Sequence, residues 1–186
     1  MKMRFLWLGL IALLLTGCQS VPPLNFSVPN VGVSQKKIDA ELKSMTVTLA
    51  RPDEQKGEIM AGMEPVAQLW QTSLMEALNR MAVFKDDANK KVSLQVKVLG
   101  LDVPSAGASF ETTAIARYEI IDRSNGSIIY TQEFSSKGLV SMGYAFMGIV
   151  RARESVNRAV QNNITMFLQA LETVNFDKAM FPNKQK

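Results

Sequence analysis

Acid–base, nucleophilic and metal chemistry draw on imidazoles, thiols and gathered carboxylates, and this chain is poor in all three. Its 186 residues include no histidine and one cysteine, Cys18. No intrachain disulfide, no zinc site built on His or Cys clusters and no Ser-His-Asp or Cys-His relay can therefore be assembled. The acidic residues are scattered, and the pair Asp86-Asp87 falls in a charged connection that reads as a solvated turn. Gly138, Gly143 and Gly148 recur every five residues, which is neither G-x-G-x-x-G nor a phosphate-cradling G-x-x-x-x-G-K-[ST] loop. The 11 methionines lack the His or Cys companions of a soft-metal site, and Met60, Met63, Met75 and Met81 lie within or just before a helical pattern. The expectation is a non-enzymatic protein with no metal and no cofactor. A formal charge of +4, with Lys36-Lys37 and Lys90-Lys91 as isolated pairs, gives no basic stripe for nucleic acid.

With 47% hydrophobic residues the composition is that of one globular domain plus a small extra segment. Met45, Val47 and Leu49 alternate with threonines, as in a half-buried strand. Glu64-Pro65 opens a helical spacing through Val66, Leu69, Trp70, Leu74, Ala77, Leu78 and Met81. Alternation returns at Val92, Leu94, Val96 and Val98, and again over 112–121, where Ala114, Ala116, Tyr118 and Ile120 share a face. Asn125-Gly126 suits a tight turn needing φ > 0, so residues 112–134 read as a β-hairpin. From about Tyr144 a long stripe begins that includes Phe146, Ile149, Val156, Val160, Ile164 and Phe167.

The order β-α-β-β-β-α predicts an α+β domain: a four-stranded mixed sheet, first two strands parallel, with two helices on one face. Its expected extent is 45–176, with a frayed tail over 177–186. The connection Gly138–Gly148 is unusual for a loop because it carries two methionines and two aromatics. Such a stretch is either collapsed onto the core or an adaptable apolar surface. In the second case Met142, Tyr144 and Met147 are the candidate partner-binding residues, with Phe146 starting the helical stripe.

The N-terminus supplies the one specific motif. Lys2 and Arg4 precede an eleven-residue apolar run, Phe5 to Leu15, too short for the roughly 20 residues of a membrane-spanning helix. Leu15-Thr16-Gly17-Cys18 resembles the lipobox of bacterial lipoproteins. The resemblance implies a signal peptide over 1–17, a diacylglyceryl group on the Cys18 sulfur and usually an N-acyl chain. Gln19 after the cysteine is similar to the outer-membrane sorting pattern of proteobacterial lipoproteins. Pro22, Pro23, Pro29 and Gly32 make residues 18–44 read as an extended tether, along which Val28, Val31 and Val33 could instead pack on the domain.

Taken whole, the chain resembles small periplasmic lipoproteins of the YajG type. Its element order is similar to that of lipopolysaccharide-assembly lipoproteins, activator lipoproteins of penicillin-binding proteins and auxiliary lipoproteins of ABC-type lipid transporters. The implied role is a membrane-anchored, periplasm-facing adaptor with a protein partner in the envelope. A lipid- or amphiphile-binding module and, third, an envelope hydrolase are the competing readings.

Overall fold

The computed structural model describes residues 21–60, 62–174, 176 and 180–181. The lipobox positions Leu15, Thr16, Gly17 and Cys18 lie outside them, as do 177–179 and 182–186 of the tail. The elements are β1 (Glu41–Leu49), α1 (Glu64–Met81), β2 (Lys91–Asp102), β3 (Phe110–Asp122), β4 (Ile128–Val140), a 3-10 turn (Met142–Tyr144) and α2 (Gly148–Leu171). The sheet order is β1-β2-β3-β4, with β1 parallel to β2 and the remaining pairs antiparallel. This is the expected α+β architecture.

The period-two patterns set the register. Val47 pairs with Val96, Val96 with Tyr118 and Leu94 with Ile120, so the apolar set of each strand meets that of its neighbour on one face. Both helices cover that face, because Tyr118 in β3 touches each of them. Its hydroxyl accepts a hydrogen bond from Trp70 Nε1 of α1 at 3.3 Å and donates to Asn163 Oδ1 of α2 at 3.0 Å. Asn163 in turn donates to Ser136 Oγ (3.0 Å) and to the carbonyls of Phe134 (3.0 Å) and Ala114 (3.2 Å). Tyr118 stacks on Phe167 with ring centroids 4.2 Å apart, and burial pushes its phenol pKa up, so the hydroxyl stays protonated and able to donate.

Three expectations are corrected. The hairpin strands extend to 110 and 140, and Gly138 belongs to β4, not to a loop. There α2 presses so close that a Cβ would stand 2.1 Å from the Ser155 carbonyl oxygen and 2.4 Å from the Ala159 nitrogen. The helix starts at Gly148, not near Tyr144.

The third correction concerns the tether. From Pro22 onward the chain is strapped over the helices. Arg153 Nη1 donates to the Pro22 carbonyl (3.0 Å), the Asn25 amide to Asn157 Oδ1 (2.9 Å), Gln161 Nε2 to the Asn25 carbonyl (3.0 Å), and Ser27 Oγ to Glu76 of α1 (3.2 Å). Phe26 is fully buried, edge-on to Trp70 at 6.5 Å, and Val28, Ile38 and Ala40 join the same core. Val33 remains exposed. Prolines forbid a regular ladder, but side chains of α2 supply backbone partners that the strap lacks, while α1 holds it through the Ser27 hydroxyl.

The lysine pairs also do more than face solvent. Lys36 Nζ bonds the Val174 carbonyl (2.6 Å), Lys90 Nζ the Phe176 carbonyl (2.9 Å), and Lys37 the Ala82 carbonyl. Ala82 and Val174 lie just past the C-terminal ends of α1 and α2, where the helix dipole favours cations. Met180 and Phe181 pair with the start of β4.

Two substitutions test this packing. Tyr118→Phe leaves the Trp70 indole N–H and Asn163 Oδ1 without their buried partner and is expected to cost about 1–3 kcal/mol, read as a lower urea midpoint at unchanged slope. Gly138→Ala drives a methyl into the α2 backbone and is expected to cost about 1–3 kcal/mol or more by forced displacement. A near-neutral result for either would refute the corresponding contact.

Candidate functional site

The site follows from strand direction. Since β1 and β2 are parallel and β4 is antiparallel to β3, the C-terminal ends of β1, β2 and β4 lie at one end of the sheet, with the start of β3. Both helices begin there too: Met63, Pro65, Val103, Ile149 and Val156, from the starts of α1 and α2 and the end of β2, line one groove. This is the loop end of the domain.

One buried charge shapes the loop after β4. Arg151, in the first turn of α2, is buried. Its Nη1 donates to the carbonyls of Ala145 (2.6 Å) and Phe146 (2.9 Å), its Nη2 approaches the Gly107 carbonyl (3.4 Å), and the guanidinium sits 5.5 Å from the Phe110 ring centroid. Its Nε is the one buried side-chain nitrogen or oxygen without a hydrogen-bond partner among the described residues. A buried cation needs such acceptors, and here they are backbone carbonyls drawn inward. With the carbonyls of 145 and 146 committed to the interior, the Phe146 side chain turns outward and is 100% exposed. Phe146 therefore does not start the buried stripe, which corrects the expectation.

Of the three candidate contact residues, Met142 is 68% exposed and Tyr144 50%, while Met147, at the α2 N-cap, is half-buried. The Tyr144 ring lies 5.3 Å from the Arg158 guanidinium, which also holds Glu154 (2.8 Å) and the Leu139 carbonyl (2.9 Å). Between the two sequence readings of this connection, its tip is surface. Leu139, Ile149 and Met60 extend the exposed apolar area across the same end. Beside them runs a groove of about 620 Å³ with a mostly apolar lining that includes Pro23, Leu24, Met63, Leu69 and Ile149.

Sequence reasoning missed Phe146, Ile149 and Arg151. Phe146 and Ile149 keep the spacing of the α2 stripe, so periodicity absorbed them. No sequence signal marked Arg151, because its helical neighbours Met147, Gly148 and Glu154 are only half-buried and do not form an apolar stripe.

The opposite sheet face is polar and ion-paired. Glu133 receives Arg117 Nη2 at 2.6 Å and Lys56 Nζ at 2.5 Å, which holds its carboxyl below the usual range. Glu54 is pushed down to about 2 by hydrogen bonds from Lys97 and the Arg51 amide. These carboxylates are held ionised, the reverse of a general acid. Among the described residues no group of three or more metal-ligating side chains gathers, and no helix is long and apolar enough to cross a membrane.

No protein-family model matches the chain, and no curated protein matches it. The chain is similar to several solved structures, at TM-scores below 0.5. Protein XCC0632 from Xanthomonas campestris, of family DUF330, is 11% identical with a TM-score of 0.48, over 82% of this chain and 96% of that one. A putative lipoprotein from Caulobacter crescentus is 16% identical with a TM-score of 0.43, over 64% and 87%. A PelC dodecamer from Paraburkholderia phytofirmans is 14% identical with a TM-score of 0.44, over 78% and 92%.

The anchoring role of Arg151 is directly measurable. Arg151→Met keeps much of the side-chain volume but removes the bonds to Ala145 and Phe146, at about 1.5–3 kcal/mol for hydrogen bonds to a charged group. The Tyr144 and Val150 amides should then exchange with solvent roughly tenfold faster or more while β3 amides keep their protection. Unchanged exchange at both amides would refute the role.

Proposed function

We propose that the chain is an envelope lipoprotein, acylated on Cys18 at the outer membrane, whose domain serves as an adaptor or accessory subunit in envelope assembly or transport. The observation that carries the reading is the Leu15-Thr16-Gly17-Cys18 motif at the end of a cationic, then apolar, leader. Each buried methylene of an acyl chain contributes about 0.8 kcal/mol, so two or three chains hold the protein where one binds only reversibly. Anchoring confines the domain to a thin layer and raises its effective concentration toward components there, so modest contacts suffice.

The adaptor assignment is supported by the polar outer face of the sheet, where carboxylates such as Glu133 are paired into ion bridges with Lys56 and Arg117 rather than gathered as an acid–base site. The competing amphiphile-binding reading draws on the apolar groove beside Leu24 and Ile149. It requires a lipid to copurify with the protein.

Cys18→Ser in the full chain is expected to move the protein from the membrane to the soluble fraction and to abolish incorporation of labelled palmitate. The N-terminal peptide of the unsubstituted protein should carry the mass of the lipid. A free, alkylatable Cys18 thiol in the mature protein would overturn the reading. Crosslinking in intact cells should then retain a specific envelope protein with the anchored form and lose it with the serine variant.

A further inference from the structure

Ten large apolar side chains are exposed among the described residues, and six of them, Met60, Leu139, Met142, Tyr144, Phe146 and Ile149, sit at the loop end, while Val33, Met166, Met180 and Phe181 lie elsewhere. Soluble surfaces scatter such residues singly, and a cluster at one pole marks a contact. The question is what covers it.

The strap answers through distance. The Pro22 carbonyl is held by Arg153 in α2, and Pro23 and Leu24 line the groove with Ile149 at the loop end. Four peptide units separate Cys18 from Pro22, and fully extended they span at most about 14 Å. An acylated Cys18 therefore enters the bilayer within about 14 Å of Pro22, which Arg153 ties to the second turn of α2 at the loop end. Interfacial protein segments bury their apolar faces about 5–10 Å into the headgroup region, and aromatic rings favour that layer.

The residue types agree with a lipid surface. Phe146 stands wholly in solvent at the tip, Tyr144 presents a ring with a polar hydroxyl, and the methionines are flexible. The exposed residues come from different connections, namely Met60 before α1, Met142 to Phe146 after β4, and Ile149 at the start of α2. Together they form a set of separate apolar tips beside the anchor.

We propose that the loop end, led by Phe146 with Met142, Tyr144 and Ile149, inserts into the interfacial layer of the same membrane that holds Cys18. This assigns lipid, not a protein partner, to the contact residues of the loop, and it rests on the reading of Cys18 as the acylated residue. The domain then stands with α2 leading away from the membrane, and the polar outer sheet face is left open to envelope partners.

The test uses the mature acylated chain, purified from membranes and reconstituted in vesicles of phosphatidylethanolamine and phosphatidylglycerol. A thioether-linked Cys18 leaves no thiol, so single introduced cysteines can carry an environment-sensitive fluorophore. Phe146→Cys and Met142→Cys report the pole, and Met166→Cys reports a point about 27 Å along α2 from Gly148. Phospholipids bearing a nitroxide near the headgroup should quench the labels at 146 and 142 several-fold more than the label at 166, with a blue shift of emission only at the pole.

Equal quenching at all three sites, in protein that floats with the vesicles, overturns the proposal while leaving the anchor intact. A label at 146 shielded from an aqueous quencher yet not reached by the lipid nitroxide means a protein or a second copy covers the pole, and also overturns it. Labelling of the unsubstituted chain at Cys18 sinks the lipoprotein reading itself, a distinguishable result. The double substitution Phe146→Ser with Met142→Ser, at exposed positions, should keep the unfolding midpoint and lower quenching of a label introduced as Ile149→Cys. An unchanged signal there counts against the proposal.

Discussion

One buried hydroxyl holds the layers in register. Tyr118 lies at the centre of the sheet face with both helices against it, and its oxygen cannot reach water. It must both accept and donate inside the protein, and Trp70 and Asn163 are the groups that let it do so. Each comes from a different helix, so the polar requirement of one atom fixes both helices relative to β3. Apolar packing alone tolerates sliding, whereas a directional bond in a low-dielectric interior does not. The helices touch each other little directly, and this makes the sheet, with the strap across both, their common reference.

The position of α2 follows from the same network and shapes the loop end. Asn163 ties α2 to β4 through Ser136 and Phe134, and Ser136 also bonds the Ala159 carbonyl at 2.8 Å. Close approach requires the missing side chain at Gly138. One turn before Ser155, Arg151 is then carried under the loop, where its guanidinium gathers the carbonyls of 145 and 146. The outward Phe146 is thus a consequence of core packing transmitted along a helix. Phe146 stands in solvent beside the exposed Met142 and Tyr144, an apolar tip whose direction is set by the core.

Strand and helix identities were legible because period and burial agree: Val92 to Val98 and Ala114 to Ile120 alternate, and Val66 to Met81 keeps helical spacing. The turn was legible through Gly126, whose φ is 74°, and through Asp122 and Asn125, whose side chains bond the amides two residues on. Less was legible wherever a partner distant in sequence decides the outcome. Pro22 to Ala40 reads as a tether because local propensity is extended, yet Phe26 is buried against Trp70 and its flanking backbone is satisfied by Asn157 and Gln161. Gly138 reads as loop flexibility because the helix that excludes its side chain lies some twenty residues on in the chain. Phe146 keeps the right spacing for the α2 stripe, and only the buried guanidinium, five residues later, turns it out.

These errors share a direction, and it bears on how an anchored domain would work. A tether of free chain lets a domain sample all orientations, and partners then meet any of its faces. A strap fixed to α2 as far as Pro22 leaves only a few residues of slack before an acylated Cys18, too short for the domain to turn its loop end far from the bilayer. Anchoring then restricts orientation as well as height, and both restrictions are imposed before any partner arrives. With the loop end so held, the surface left for partners would be the ion-paired sheet face, where Lys56, Arg117 and Glu133 already satisfy one another. Contacts with such a surface gain little per ion pair, so they would depend on the local concentration that a short anchor supplies.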